Sequence, residues 1–101
     1  ANFNIDRDKL MHRLKAYDII SSFEPCSYPG VRNIIRFNNV YKTFPELYDL
    51  GLTINLDDTI SCMIFRTGSI LIIGKCCDVM LEYIYKFVCG ILKTEYKNIV
   101  A

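Results

Sequence analysis

Histidine is almost missing from this sequence: His12 is the only one. Cysteine is not scarce, but none of Cys26, Cys62, Cys76, Cys77 and Cys89 stands in a Cys-x-x-Cys or Cys/His spacing. A zinc site therefore has no ligand set to draw on, and no metal is expected. An odd, unpatterned set of thiols predicts reduced, partly buried cysteines in an intracellular protein, with Cys76-Cys77 as packing rather than redox chemistry. Charge of one sign is lacking too. Twelve basic residues face eleven acidic ones for a net charge of +1, so nothing global attracts nucleic acid, although a local basic rim fits on a neutral domain. No apolar run approaches the ~18 residues that span a bilayer, and no signal peptide is visible. There is no nucleophile–base pair and no phosphate-binding loop, so no enzyme and no cofactor is expected. Internal repeats and low-complexity segments are absent.

What is present is apolar: 51% of 101 residues, enough for one domain with a real core, spanning 1–101. The informative stretch is Ser61 to Lys75. Two apolar runs flank Arg66-Thr67-Gly68-Ser69, the signature of a tight β-hairpin. A sheet covered on one face alternates apolar with polar residues. Here Met63, Phe65, Leu71 and Ile73 fall on one face and Cys62, Ile64, Ile70 and Ile72 on the other, and both sets are apolar. The sheet is either buried twice or presents an apolar surface to a partner.

Ala1 to Ile5 reads as the end of a strand. Asp6 is set to cap a helix in which Leu10, Leu14 and Tyr17 recur at helical spacing, broadened by Met11. Asp8 near the start and Arg13 and Lys15 near the end suit the helix dipole, and His12 is a solvated helix residue. Ile19 to Cys26 reads as a short strand, and Ser27-Tyr28-Pro29-Gly30 as a turn. Val31 to Val40 is strand-like, with Ile35 and Phe37 on one face and Ile34 and Arg36 on the other. In the irregular stretch 41–58, Pro45 opens a helical turn that Gly51 closes, and Leu52 to Leu56 alternates like a small extra strand. Asp57-Asp58 is a solvated turn into the hairpin, without the third ligand that a metal would need. After the hairpin, Asp78 is placed to cap a long helix. Its apolar stripe is Val79, Met80, Leu81, Ile84, Phe87, Val88, Ile91 and Leu92, with Glu82, Tyr83, Lys86 and Lys93 outward. Thr94 to Ala101 is a tail in which Ile99 and Val100 can pair with a neighbour. The order predicts an α+β fold with both helices on one face of an antiparallel sheet.

In that order the residues resemble one repeat of the TATA-binding protein family, closest to its second repeat. Ser21-Ser22-Phe23-Glu24-Pro25-Cys26-Ser27-Tyr28-Pro29-Gly30 follows the family form Ser-Ser-Tyr-Glu-Pro-x-x-Phe-Pro-Gly. Ile64-Phe65-Arg66-Thr67-Gly68-Ser69, Ile70 to Ile73 and Gly74-Lys75-Cys76 stand where the family has its hairpin and the Thr-Gly-Ala-Lys before its last helix. Ala1 to Ile5 is similar to the end of the family's first strand. The resemblance covers nearly the whole chain apart from the insertion at about 41–58.

The resemblance implies a half saddle, a curved antiparallel sheet with two helices on its convex face. It also implies a transcription initiation factor, or half of one, whose concave sheet binds A·T-rich double-stranded DNA in the minor groove. By position, the wedge aromatics fall on Tyr28 and Phe65, and Met63, Leu71 and Ile73 face the groove. Arg32, Arg36, Arg66, Ser69 and Lys75 are the implied polar contacts. Implied partners are initiation factors or RNA polymerase on the helix face, and a second repeat or a homodimer partner beside the first strand. The family's polar contacts are thinned by Ile34, Ser69, Ile73 and Cys76, where donors to phosphates and groove acceptors are expected. That departure carries an alternative: a module that has lost DNA readout and uses the apolar face for protein–protein contact or dimerisation. The same fold also occurs as an accessory domain of some glycosylases and RNase H-type enzymes. The start at Ala1 reads as a fragment or processed domain. The Ile-, Asn-, Lys- and Tyr-rich composition fits an A·T-rich genome such as that of a large DNA virus or a protist, with the nucleus, viral factory or virion as location.

Overall fold

A computed structural model describes residues 3–24, 26, 27 and 29–101. The order is α1 (Arg7–Lys15), β1 (Ile20–Ser22), β2 (Gly30–Arg36), α2 (Phe37–Thr43), a 3-10 turn (Pro45–Leu50), β3 (Thr59–Phe65), β4 (Ile70–Ile73), α3 (Asp78–Thr94) and α4 (Tyr96–Ile99). The four strands form one antiparallel sheet in chain order, β1-β2-β3-β4. The fold is α+β, with the helices gathered on one face of the sheet.

Local chemistry accounts for the elements that the sequence announced. Asp6 caps α1, its side chain accepting from the Lys9 amide at 3.2 Å. Leu10 and Leu14, four residues apart on one stripe, are the residues of α1 that become buried. The hairpin closes where expected: the Phe65 amide donates to Ser69 O at 2.9 Å, and Gly68 takes φ 88°, a conformation open to glycine at little cost. Gly51 ends the 3-10 turn in the left-handed region at φ 64°. In α3, Met80, Ile84, Phe87, Val88, Ile91 and Leu92 are buried; Val79, assigned to the same stripe, is exposed. Asp78 is the first helical residue and not the cap. Cys77 holds the cap position, without a side-chain bond.

Three segments differ from the sequence reading. The strand expected over Val31 to Val40 stops at Arg36, and Phe37 starts a helix instead. The first free amides of that helix are satisfied by the returning loop: Phe37 N–H donates to Asp58 O at 3.0 Å and Asn38 N–H to Leu56 O at 3.1 Å. The first of these bonds falls where the β2–β3 register places its next pair, one step beyond Arg36 and Thr59. Leu52 to Leu56 does alternate in burial, but it pairs with no strand; Leu52, Ile54 and Leu56 pack against the core from a loop. The expected strand Ile19 to Cys26 shrinks to Ile20–Ser22.

The segments 4–6 and 99–101 meet. Ile5 and Val100 form a single antiparallel bridge, Asp6 N–H donates to Ile99 O at 2.7 Å, and Ile99, the last residue of α4, is fully buried. The tail is thus helical and packed. The described part of the first segment contributes this bridge rather than a fifth strand of the sheet.

The core joins the inward sheet residues Val31, Ile35, Ile60, Cys62 and Ile64 to Leu10, Leu14, Met80 and Ile84 from the helices. The insertion belongs to it: Val40 and Leu47 are fully buried, and Tyr41 is buried edge-on to Tyr48 with ring centroids 4.8 Å apart. A polar pair is enclosed in the sheet, Ser21 Oγ donating to Asn33 Oδ1 at 2.7 Å while Asn33 Nδ2 donates to Val31 O at 3.1 Å. Burial among these groups pushes the Cys62 thiol up to about 11, which keeps it protonated and unreactive. On the helix side, Glu95 is buried and binds Arg13 through both carboxylate oxygens, with Tyr17 Oη donating to it at 3.3 Å. The Arg13 hydrogen bond holds the Glu95 carboxyl below its ordinary range, against the opposing effect of burial.

Two outcomes test this packing. Leu47→Ala is expected to lower unfolding free energy by about 2–5 kcal/mol in urea titrations, because the insertion is core rather than appendage. A change near zero would show the insertion to be detachable. For Glu95 the folded-state pKa lies below the unfolded one, so its contribution is fully present above the unfolded pKa. That contribution is lost as pH falls through the folded value. Glu95→Gln should destabilise the protein at neutral pH and flatten the acid limb of its stability profile, read as Tm against pH.

Candidate nucleic-acid interface

Helices cover only one face of the sheet, and the register defines what the other face carries. Partners in an antiparallel ladder share a face. One row across the open face is therefore Ile20, Ile34, Ser61 and Ile73, and the next is Ser22, Arg32, Met63 and Leu71. Gly30 pairs with Phe65, which in turn bonds Ser69 across the hairpin, and Arg36 pairs with Thr59 at the far end.

The alternation in burial follows these rows. Ile60, Cys62 and Ile64 point into the core, while Ser61, Met63 and Phe65 are half-buried on the open side. Ile20 is 63% exposed, Leu71 and Ile73 are each 50% exposed and Ile34 39%. Ile20 and Ile34 are neighbours in one row, Ile73 ends that row beyond Ser61 and Leu71 stands in the next, so exposed aliphatic side chains recur across the face, as they do at binding sites. The cation content of the face is equally uneven. Arg32 and Arg36 are both exposed on it, and no carboxylate stands on any strand position of that face.

Two details shape the surface. Met63 lies over Gly30: a Cβ there would fall 2.6 Å from Met63 Cγ and 3.0 Å from Ile64 O. The small residues Ser22 and Ser61 leave a dent of about 160 Å³ among Ile20, Arg32 and Ile34.

Of the residues singled out in the sequence, Met63, Phe65, Leu71, Ile73, Arg32 and Arg36 come together on this face. Arg66 and Ser69 are exposed at the hairpin end of it, where Thr67 Oγ1 donates to Ser69 Oγ at 3.2 Å. Lys75 does not join them. It follows β4 past Gly74 and lines a separate cleft of about 480 Å³ with Phe37, Asp58 and the loop from Gly51 to Asn55. Tyr28 lies outside the described residues. Arg7 donates to Pro29 O at 2.7 Å and lies over the Phe23 ring at 4.6 Å.

Sequence reasoning missed Ile20, Ser22 and Ser61 as members of the face. Ile34 entered it only as a departure from the family pattern. The signal was the ladder register, which places all of them once the hairpin is fixed. Among the described residues no group of three or more His, Cys, Asp or Glu side chains is placed to hold a metal, and no helix is long and apolar enough to cross a membrane.

Comparison of the chain with protein-family models, with curated proteins and with solved structures finds no match.

Gly30→Ala tests the close approach of β2 and β3 at this face. Met63 can swing aside but the Ile64 carbonyl cannot, so a loss of roughly 1–3 kcal/mol is expected. A shifted Met63 methyl resonance should accompany it.

Proposed function

We propose that this chain is a TATA-binding-protein-like module that binds A·T-rich duplex DNA in the minor groove through its open sheet face. The observation that carries the reading is the composition of that face: adjacent apolar rows with two arginines and no carboxylate.

Size argues for the minor groove. Four strands spaced ~4.8 Å apart are too wide for a major groove that admits a two-stranded ribbon. Arg32 and Arg36, four residues apart on one strand, lie about 13 Å apart, well beyond the ~6 Å width of an undistorted minor groove. That spacing lets the two guanidiniums reach phosphates on either side of Ile34 when the groove is opened around the sheet. Opening it exposes sugar and base edges to Ile20, Ile34, Met63, Leu71 and Ile73. Phe65, at the end of the face beside Gly30, is placed to wedge between base steps, as minor-groove binders use apolar side chains. The unstacking cost is offset by contact with the widened groove.

The same face supplies a preference for A·T. Apart from its arginines, Thr59 at the far end and Ser69 at the hairpin, it offers only the hydroxyls of Ser22 and Ser61. The guanine amine would be buried against isoleucine at most positions, and an unsatisfied buried donor costs about 1–3 kcal/mol. Arg36 and Arg66 supply phosphate contacts at opposite ends.

A second reading is favoured by one observation. The row Ile20–Ile34–Ser61–Ile73 carries no cation, so half of the face suits an apolar protein surface as well as a nucleic acid.

Fluorescence anisotropy with A·T-rich and G·C-rich duplexes at two salt concentrations separates the readings. Binding should favour the A·T duplex and weaken with salt. Phe65→Ala should weaken it about tenfold, ~1.4 kcal/mol, and Arg36→Ala should reduce the salt slope by about one. Equal or absent binding to the two duplexes would sink the DNA reading and leave protein docking.

A further inference from the structure

A cleft of about 480 Å³ lies apart from the open sheet face, where the loop from Gly51 to Asn55 meets the turn between β4 and α3. That volume is within the range of small-molecule sites, about 300–1,000 Å³. Its apolar lining is Phe37, which is buried, and Leu52 and Ile54, which are half-buried. Its charged lining is one carboxylate and one ammonium, Asp58 and Lys75, both exposed.

The two charges do not neutralise each other. Continued past Ser61 and Ile73, the β3–β4 register would set Lys75 opposite Thr59, next to Asp58. Gly74 breaks that course at φ 148°, in close approach to Ile60: a Cβ there would fall 2.9 Å from Ile60 Cγ1. Among the described residues the one ion pair is Arg13 with Glu95, so Asp58 and Lys75 line the cleft unpaired. Burial pushes the Cys76 thiol up, so it adds no charge to the lining. The loop brings unpaired backbone as well. Among the described residues the amides of Thr53 and Asn55 and the carbonyls of Thr53 and Ile54 form no hydrogen bond.

We infer that this cleft binds a small zwitterion with an apolar side chain: a free aliphatic or aromatic amino acid. A lone anion is drawn to Lys75 and repelled by Asp58, and a lone cation meets the reverse. A molecule with both charges satisfies the pair. The α-carboxylate is then held by Lys75 and the free loop amides, and the α-ammonium by Asp58 and the free loop carbonyls. The side chain is left for Phe37, Leu52 and Ile54. A chain terminus of another protein brings only one of the two charges, so a free amino acid is the better match. The inference does not depend on what the open sheet face binds.

The test is a titration of the isotope-labelled full chain with leucine and with phenylalanine, followed by amide NMR. Saturable shifts should appear at Thr53, Ile54, Asn55 and Lys75 below about 10 mM, the regime of a weak small-ligand site. Glycine, which lacks the apolar side chain, should not reproduce them. N-acetyl-leucine lacks the ammonium and leucinamide lacks the carboxylate, so each should bind about three- to tenfold more weakly than leucine. Lys75→Ala should weaken leucine by a similar factor and leave leucinamide unchanged. Asp58→Asn should weaken leucine and leave N-acetyl-leucine unchanged. It keeps the backbone carbonyl that accepts from Phe37 N–H, so the fold is preserved. Absence of saturable shifts overturns the proposal, as do shifts confined to other parts of the chain. Equal affinity for leucine and its two blocked forms also overturns it and leaves an apolar cleft without charge selection. Leucine binding that neither variant weakens has the same consequence.

Discussion

Side chains on a strand alternate between two faces, and the helices of this chain are all committed to one of them. That constraint organises the molecule. Leu10 and Leu14 of α1 and the Met80–Ile84–Leu92 stripe of α3 fill the space under Val31, Ile35, Ile60, Cys62 and Ile64. The insertion contributes Val40, Tyr41 and Leu47 to the same side. No described element is left to cover Ile20, Ile34, Leu71 and Ile73. An apolar open face follows from the strand sequences themselves, because β3 and β4 were apolar in both phases of the alternation.

Two buried polar clusters hold the arrangement together. Asn33 occurs at an inward position of β2, where an amide would be costly alone. It is satisfied within the sheet by Ser21, Val31 O and Cys62 O, the last at 3.5 Å. Glu95 is likewise buried and matched, by Arg13 from α1 and by Tyr17. This pair fastens the first helix to the end of the last long one, while the Ile5–Val100 bridge joins the segment before α1 to the one after α4.

What was legible in the sequence was what depends on neighbours within a few residues. The Asp6 cap, the Arg66–Ser69 turn, the closing Gly51 and most of the α3 stripe are local, and the structure bears them out. The assignment of hairpin residues to two faces was also local, since it needs only the period of two. What was not legible depends on a partner far along the chain. Phe37 opens a helix whose second amide, that of Asn38, is received by Leu56 O, about twenty residues on. Leu52, Ile54 and Leu56 alternate in burial for a sheet-like reason, contact with a core on one side, yet find no strand to pair with. Val79 has the composition of the stripe but lies to one side of it, next to the fully buried Met80, and faces outward.

The candidate site divides in the same way. Met63, Phe65, Leu71, Ile73, Arg32 and Arg36 were identified one by one from a resemblance, yet their adjacency is a property of the register. The register also brings in Ile20, Ser22 and Ser61, and with them an apolar row that the polar half of the face does not share. Lys75 shows the limit of carrying positions across: two residues past the ladder, beyond Gly74 at φ 148°, the chain has turned away and the ammonium belongs to another cleft. Along β2 the open face carries Arg32, Ile34 and Arg36 in turn, so the cation-free row lies between two rows that each hold one arginine. A ligand that meets this face has to offer an apolar strip between two edges that accept a cation.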